Sequence, residues 1–144
     1  MTGVDLNPEM LAVAKTMPSP PGAPIDWCEC DATSMPCNRS SFDVALCQFA
    51  LMFFPDRPAA LREIRRVLKP KGKLALSVWC GGPYDQVFEG LLANYVGEEA
   101  ARSPIGSFED VDWLGSLIED AGFSVESLKT ATTPTRYHSI RQSV

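Results

Sequence analysis

The chain has 144 residues, of which 45% are hydrophobic and 22% are charged, and its formal net charge is −5. This length is enough for one globular domain with a real core. No apolar run approaches the roughly 20 residues that span a bilayer, and no charged-then-apolar leader is present, so we expect a cytoplasmic protein without a membrane span. The net charge is negative, and the sequence has no long basic stretch of the kind that binds nucleic acid, so a small-molecule ligand is favoured.

The five cysteines do not predict a disulfide framework, because the chain has the composition of a cytosolic protein. Three of them, Cys28, Cys30 and Cys37, lie close together in the sequence. Their spacing provides no second pair of ligands of the kind that zinc sites use. We therefore expect ordinary core or surface thiols and no metal site.

The first half of the chain alternates between strand and helix. "TGVDL" (2–6) is typical of a short strand, and "PEMLAVAK" (8–15) of a helix that the Pro/Gly-rich stretch after it ends. "IDWCEC" (25–30) is a second strand candidate. "FDVALCQF" (42–49) is a largely apolar run, which predicts a strand buried on both faces. In the first helix, the residues predicted to share one face are Met10, Leu11 and Ala14.

The second half continues the alternation. Asp56 is the predicted N-cap of a helix over 57–69, with Pro58 in its first turn. One face of that helix is apolar, at Ala60, Leu61, Ile64, Val67 and Leu68. For a later helix, Ser107 is the predicted N-cap and Gly122 the C-terminal stop. The remaining predicted elements are strand 73–79, helices 84–96 and 107–122, and strand 123–131.

Strands that alternate with helices predict a parallel, doubly wound α/β sheet in a single domain, 1–144. Asp5 and Asp31 stand at the ends of the first two strands, where open α/β sheets bind their ligands. A carboxylate at such a place can accept two hydrogen bonds from a ribose diol. Two local roles are open alternatives: Asp5 serving only the first turn of the next helix, and Asp31 forming a turn with Thr33 and Ser34.

The chain resembles the class I S-adenosylmethionine-dependent methyltransferases in five segments that occur in the family's order. The segments are "TGVDLNPEML", "CDATSMP", "FDVALCQFALMFFPD", "ALREIRRVLKPKGKLALSVW" and "LIEDAGFSVESL". The closest likeness is to the group around the ubiquinone and menaquinone biosynthesis methyltransferases. The resemblance implies a Rossmann-like, mostly parallel sheet, S-adenosylmethionine as the cofactor, and transfer of its methyl group to a small-molecule acceptor.

The resemblance also implies roles for single residues. Asp5 matches the acid that binds the ribose hydroxyls of the cofactor, and Asp31 the acid that accepts from the adenine amino group. Ala32 follows at the place where a backbone N–H commonly meets the adenine ring. Gln48 ends a strand beside the methionine part of the cofactor. Leu6 and Met10 match the apolar positions that the family packs near the adenosine. The predicted cofactor-binding set is Asp5, Leu6, Met10, Asp31, Ala32 and Gln48.

The sequence departs from the family pattern in two places. A strand ending in a glycine-rich loop, D/E-x-G-x-G-x-G, should precede "TGVDL", whereas the only Gly-Gly pair, Gly81-Gly82, follows the strand at 73–79. Lys71 stands where the family's L-K-P-G-G turn has its first glycine, a surface change that we expect to be tolerated. "TTPTRYHSIRQSV" (132–144) resembles only the run into the last strand and helix. We therefore expect an incomplete sheet, and a fragment of a longer methyltransferase.

In the family's strand order, 3-2-1-4-5-7-6, the absent first strand is central and lies between "TGVDL" and "FDVALCQF". Its absence leaves two facing strand edges with unpaired N–H and C=O groups. It also removes the loop that holds the methionine end of the cofactor. We therefore expect this chain alone to bind S-adenosylmethionine weakly and to be inactive, with possible self-association through the open edges.

Catalytic residues are unknown from the sequence, and the only histidine, His138, is not a convincing base. Six aromatic residues at or beyond strand ends suit the wall of an apolar acceptor pocket, although core or lid packing is the simpler interpretation. They are Phe49, Phe53, Phe54, Trp79, Tyr84 and Phe88. A short-chain dehydrogenase would need Y-x-x-x-K, which no tyrosine here satisfies. The other alternative is a non-catalytic, truncated methyltransferase-like module that associates with a partner chain.

Overall fold

The computed structural model of the chain describes residues 1–19, 21–80, 83–97 and 111–132, and only the backbone of 83–89. Its strands are β1 (Thr2–Asp5), β2 (Asp26–Glu29), β3 (Phe42–Gln48) and β4 (Leu68–Ser77). Its helices are α1 (Pro8–Thr16), α2 (Arg57–Val67), α3 (Pro83–Val96) and α4 (Val111–Asp120), with a short 3-10 helix at Leu51–Phe53. No helix within these ranges is long and apolar enough to cross a membrane.

Helix α2 forms where the sequence predicts it, because its start signal and its apolar stripe agree. Oδ1 of Asp56 accepts a hydrogen bond from the backbone N–H of Ala59 at 2.8 Å, which satisfies one of the free donors of the first turn. Pro58 occupies that turn, where its missing N–H costs nothing. The residues of the predicted apolar face are buried: Ala60, Leu61, Ile64, Val67 and Leu68.

The main core lies between the β3–β4 sheet, the 3-10 helix, α2 and α4. Leu51 and Leu61 are fully buried there, and Cys47 contributes the inward face of β3. Leu114 and Leu117 bring one face of α4 against them. These residues come from distant parts of the chain, so this cluster fixes α2 and α4 on one face of the sheet.

The four strands form two separate parallel sheets and not one. β1 pairs with β2, and β3 pairs with β4. Within the residues that the structure describes, neither β1 nor β3 has a second strand neighbour. The two open edges expected between "TGVDL" and "FDVALCQF" are therefore present, and the α/β architecture with parallel pairing is confirmed.

The prediction that β3 is buried on both faces is wrong. Cys47 is buried on one face, but Leu46 is 77% exposed and Val44 is 56% exposed on the other. On the neighbouring strand Ala75, the partner of Leu46 in the register, is exposed as well. An apolar run predicts burial only if some element covers both faces, and no described element covers this one.

The predictions for Met10 and for the segment 123–131 are wrong, whereas the prediction for Gly122 is confirmed. Met10 does not pack inward with Leu11, since Met10 is 58% exposed and Leu11 only 3%. No strand forms at 123–131, since none of the described strands pairs with that segment. Gly122 ends α4 as predicted, with a φ of +87° and its N–H bonded to the carbonyl of Glu119. Ser107 and His138 lie outside the described residues.

Lys71 and Gly72 lie in the irregular first part of β4, and substitutions at these two positions should change stability in opposite directions. Lys71 has a φ of +66°, a left-handed conformation that costs a non-glycine residue about 1–2 kcal/mol. Lys71→Gly should therefore stabilise the chain by about 0.5–1 kcal/mol after the larger chain entropy of glycine is subtracted.

A Cβ on Gly72 would lie 2.9 Å from the carbonyl oxygen of Lys69. Gly72→Ala should therefore destabilise by about 1–3 kcal/mol. Urea unfolding of both variants measures these effects, and a shift of the same sign in both would contradict the backbone argument.

Candidate functional site

Asp5 and Asp31 lie at the same end of the β1–β2 sheet. The two strands run parallel, with Asp5 opposite Glu29. The backbone N–H of Cys30 donates to the carbonyl of Asp5 at 3.1 Å, and Asp31 is the next residue. Parallel pairing therefore brings together the two acids that the sequence singled out, although they are far apart in the chain.

Each of these acids uses one carboxylate oxygen for a local hydrogen bond. Oδ1 of Asp5 accepts from the N–H of Asn7 at 2.8 Å. Oδ1 of Asp31 accepts from both the N–H and the Oγ1 hydroxyl of Thr33, each at 2.8 Å. The turn considered for Asp31 is therefore confirmed, whereas Asp5 does not serve the first turn of α1, because the N–H groups of Glu9 and Met10 donate to Oδ1 of Asn7. These local hydrogen bonds leave the second oxygen of each exposed carboxylate without a donor among the described residues, so a local role does not compete with ligand binding.

The hydrogen bonds from Thr33 also hold Asp31 in its charged form. The backbone N–H and then the hydroxyl of Thr33 lower the pKa of the Asp31 carboxyl below its usual value. Asp31 is therefore an anion at neutral pH, with one oxygen fixed by the turn and the other directed by that same turn. A preset acceptor of this kind suits an amino group or a hydroxyl of a ligand.

The apolar members of the predicted set lie beside these acids but do not enclose a pocket. Leu6 is 67% exposed and Met10 is 58% exposed, whereas Ala32 is half-buried next to Asp31. Exposed apolar side chains next to two carboxylates are compatible with a bound nucleoside. The cofactor roles of these residues remain predictions.

Sequence reasoning missed the side chain that fixes the loop after Asp31. Oε1 of Glu63, on α2, accepts from the backbone N–H of Met35 at 2.8 Å. Arg66 binds the same carboxylate at 2.7 Å through both Nε and Nη2, and its Nη2 also donates to the carbonyl of Met35 at 3.1 Å. The Arg66 hydrogen bonds are the main reason why the pKa of Glu63 is lowered. The only sequence signal was an i, i+3 acid–base pair on a helix.

Gln48 lies in the other sheet, at the end of β3 opposite Ser77. The residue after it, Phe49, has a φ of +50°, which costs a bulky side chain about 1–3 kcal/mol. Two contacts hold Phe49 in place. Its N–H donates to the carbonyl of Ser77 at 2.9 Å, and its ring stacks on Trp79 with centroids 4.5 Å apart and an angle of 15° between the planes. The ends of β3 and β4 therefore carry an aromatic stack.

A separate apolar groove of about 720 Å³ lies between the 3-10 helix, the start of α2 and α4. Two of the six aromatic residues considered for an acceptor pocket, Phe53 and Phe54, line this groove, and Phe54 also packs against the core, as the simpler interpretation predicts. The other six lining residues are Met52, Pro55, Arg57, Pro58, Trp113 and Leu117. The side chains of Tyr84 and Phe88, which were also expected at such a pocket, lie outside the described part of the chain.

The cysteines are free thiols in this structure. Burial, and next a hydrogen bond with Cys28, raise the pKa of Cys30 to about 11, so this thiol is protonated at neutral pH. Burial also raises the pKa of Cys47 in the core. Among the described residues no three side chains of the His, Cys, Asp or Glu type are grouped so that they could hold a metal ion.

The chain is similar in sequence to known proteins. The sequence profile of the family described as "Methyltransferase domain" matches residues 1–76. A demethylmenaquinone methyltransferase of Chlamydia caviae is 40% identical over 73 residues, which are 51% of this chain and 31% of that protein. A demethylmenaquinone methyltransferase of Thermus thermophilus is 34% identical over an alignment of 140 residues, covering 87% of this chain and 64% of that protein.

The fold has a counterpart among solved structures. A crystal structure of an S-adenosylmethionine-dependent methyltransferase from Methanosarcina mazei superposes with a TM-score of 0.72 at 27% identity, over 94% of this chain and 74% of that one. The chain thus spans only part of each protein to which it is similar, and 31% and 64% of the two demethylmenaquinone methyltransferases.

Proposed function

This chain belongs to the family of S-adenosylmethionine-dependent methyltransferase domains, and we propose that it is the nucleoside-binding part of an enzyme that methylates a small molecule. The observation that carries the proposal is the pair of exposed carboxylates at one end of the β1–β2 sheet. Asp5 and Asp31 each keep one oxygen that accepts from no donor in the described part of the chain, and neighbouring backbone fixes the other. The residues present therefore fit the ribose and adenine of the family's cofactor.

In this proposal the chain's own residues bind and orient, and no step requires them to break a bond. S-adenosylmethionine, when bound, supplies an activated methyl group on a sulfonium. Asp5 would accept hydrogen bonds from the ribose hydroxyls, and Asp31 one from the adenine amino group. Gln48, at the end of β3, would line the methionine part. Such an arrangement accelerates methyl transfer by proximity and alignment, with a base needed only for a poorly ionised acceptor.

We further propose that the active enzyme is longer than this chain. Support comes from the length of its relatives, of which the chain spans 31% and 64%. It also comes from the two separate sheets, because a strand between β1 and β3 would pair both open edges and join them.

We also propose that the methyl acceptor is a small molecule. Both demethylmenaquinone methyltransferases are named for a small-molecule substrate. The apolar groove and the aromatic stack at the ends of β3 and β4 offer surfaces on which such an acceptor can pack.

Titration with S-adenosylhomocysteine tests the nucleoside site directly. We expect weak binding, with a Kd on the order of a millimolar, detected by NMR as shifts of the amides around Asp5 and Asp31. Asp5→Asn should weaken it by about tenfold, because a charge-assisted hydrogen bond becomes a neutral one. Asp26→Asn is the matched control: this exposed acid lies at the other end of the same sheet, opposite Thr2.

Either of two results would count against the proposal. Equal losses in the Asp5 and Asp26 variants would show that the carboxylate at the strand end has no special role. Micromolar binding by the chain alone would contradict the claim that a further segment is needed to hold the methionine end.

The alternative function is a non-catalytic module that pairs with another chain. The exposed apolar face of β3 and the open edges of β1 and β3 favour it, since such edges readily accept a strand. In this case the partner would be a second copy or another protein that supplies a strand. The two functions make different predictions for association.

A further inference from the structure

Phe49 and Trp79 form a stacked aromatic pair just beyond the ends of β3 and β4. Phe49 adopts a left-handed backbone conformation that an aromatic residue rarely takes. That conformation places its ring nearly parallel to the Trp79 indole, at 4.5 Å between centroids. A segment that retains an unfavourable backbone angle to present a ring is a candidate for a ligand contact.

Trp79 is only partly used by this stack. Phe49 covers one side of the indole, yet Trp79 as a whole is 62% exposed. A large, rigid ring that stays exposed at a fixed position offers area to a ligand at little entropic cost. Core packing explains Phe49, which lies against the buried cluster. It does not explain the exposed indole.

The position of the stack matches the place where a reacting group would have to lie. Gln48 ends β3, Phe49 follows it, and Trp79 comes two residues after the end of β4. In parallel sheets the ligand crevice lies at the carboxyl ends of the strands, and β3 and β4 are parallel neighbours. The stack is thus next to the residue assigned to the methyl-donating end of the cofactor.

We propose that Trp79, supported by Phe49, is a platform on which a planar aromatic ring of the methyl acceptor stacks. This inference rests on the proposed function, whose acceptor it narrows from any small molecule to one that carries a flat ring. Trp79 is then a positioning and specificity residue, because it orients the ring beside Gln48 without taking part in bond making.

The test is ligand binding to the full chain labelled with 5-fluorotryptophan. Its three tryptophans give three fluorine NMR signals, which single substitutions assign to Trp27, Trp79 and Trp113. The probes are 2-naphthol and its saturated, non-planar counterpart decahydro-2-naphthol. We expect 2-naphthol to shift the Trp79 signal saturably, and the saturated compound to bind about five- to tenfold more weakly, as loss of ring stacking predicts.

Single substitutions distinguish ring stacking on Trp79 from non-specific apolar binding. Trp79→Leu keeps apolar bulk and should abolish the preference for the planar probe, whereas Trp79→Phe should retain most of it. Tyr95→Leu, which removes an 86% exposed aromatic ring on α3, is the matched control and should leave the preference unchanged. The exposed position of Trp79 makes loss of folding an improbable cause, and unfolding curves of each variant check it.

Three outcomes would overturn the inference: shifts confined to Trp113 or Trp27, equal affinity for the two probes, or an unchanged preference in Trp79→Leu. None of these involves the cofactor, so they leave the nucleoside site untouched. Conversely, if S-adenosylhomocysteine ignores Asp5 while 2-naphthol still stacks on Trp79, the proposed function fails and the ring-binding site stands.

Discussion

Leu46→Lys should weaken self-association of the chain by about 100-fold or more. In a dimer through the open β3 face, each copy buries a Leu46 side chain, and each such burial stabilises by about 1.5–3 kcal/mol. Leu46 is 77% exposed in the isolated chain, so the substitution removes this gain without disturbing the folded monomer. Sedimentation velocity between about 1 and 100 µM protein covers the range of a moderate association constant.

The matched control is Leu91→Lys, which changes an equally apolar residue, 58% exposed, on α3. If both variants associate equally weakly, exposed leucines act through non-specific contact and the β3 face has no special role. If the wild-type chain is a monomer across the whole range, the module that pairs with its own copies is excluded. Association that S-adenosylhomocysteine leaves unchanged would favour the non-catalytic alternative over the enzyme.

The elements that the sequence predicted best are those whose determinants are local. For α2, the Asp56 cap and the apolar stripe lie within the helix, and the structure reproduces both. The stop of α4 at Gly122 depends on one residue that tolerates a positive φ. Such signals are complete within a few residues, so no knowledge of the rest of the fold is needed to use them.

The errors occurred where the outcome depends on a neighbour elsewhere in the chain. The segment at 123–131 has a strand-like composition, but a strand also needs a partner for its backbone groups, and no strand within the described residues pairs with it. Val44 and Leu46 were expected to be buried because their run is apolar, yet burial requires a covering element. Propensity and hydropathy describe a residue's preference, while packing decides whether that preference is met.

The candidate site shows the same division. The placement of Asp5 and Asp31 at one edge followed from two predicted strands and the rule for ligand edges, and parallel pairing brings them together. The hydrogen bond of Asp31 with Thr33 also followed from turn chemistry, whereas the bond of Asp5 to the N–H of Asn7 was not predicted. The Phe49–Trp79 stack did not, because nothing in the sequence indicates a positive φ at a phenylalanine. The interaction of Glu63 with Met35 joins α2 to the loop between β2 and β3, which no sequence pattern reveals.

The interaction of Glu63 with Met35 and Arg66 should contribute strongly to the stability of the fold. Glu63→Gln should lower the free energy of unfolding at pH 7 by about 1–3 kcal/mol, the cost of weakening a largely buried, charge-assisted hydrogen bond. The Glu63 side chain is only 13% exposed, and it binds Arg66 and the backbone N–H of Met35. Urea unfolding measures the loss. Hydrogen exchange at the Met35 amide should also accelerate, because the loop after Asp31 is released from α2.

The effect should depend on pH in a defined direction. The pKa of Glu63 is lower in the folded chain than its ordinary value of 4.5, first because of the hydrogen bonds from Arg66. Its charge therefore stabilises the fold above that ordinary value, and the stabilisation disappears as the pH falls through the lowered pKa. The difference between wild type and Glu63→Gln should accordingly shrink on acidification below pH 4.5.

Asp43→Asn provides the control, because Asp43 pairs with Lys69 at 2.8 Å while both side chains are exposed, 79% and 45%. Solvent screens such a pair, so its loss should cost at most about 1 kcal/mol. A cost equal to that of Glu63→Gln would show that α2 does not hold the Asp31 loop through Glu63. If only Glu63→Gln destabilises, speeds exchange at Met35 and weakens S-adenosylhomocysteine binding, the loop that orients Asp31 depends on a carboxylate outside the ligand site.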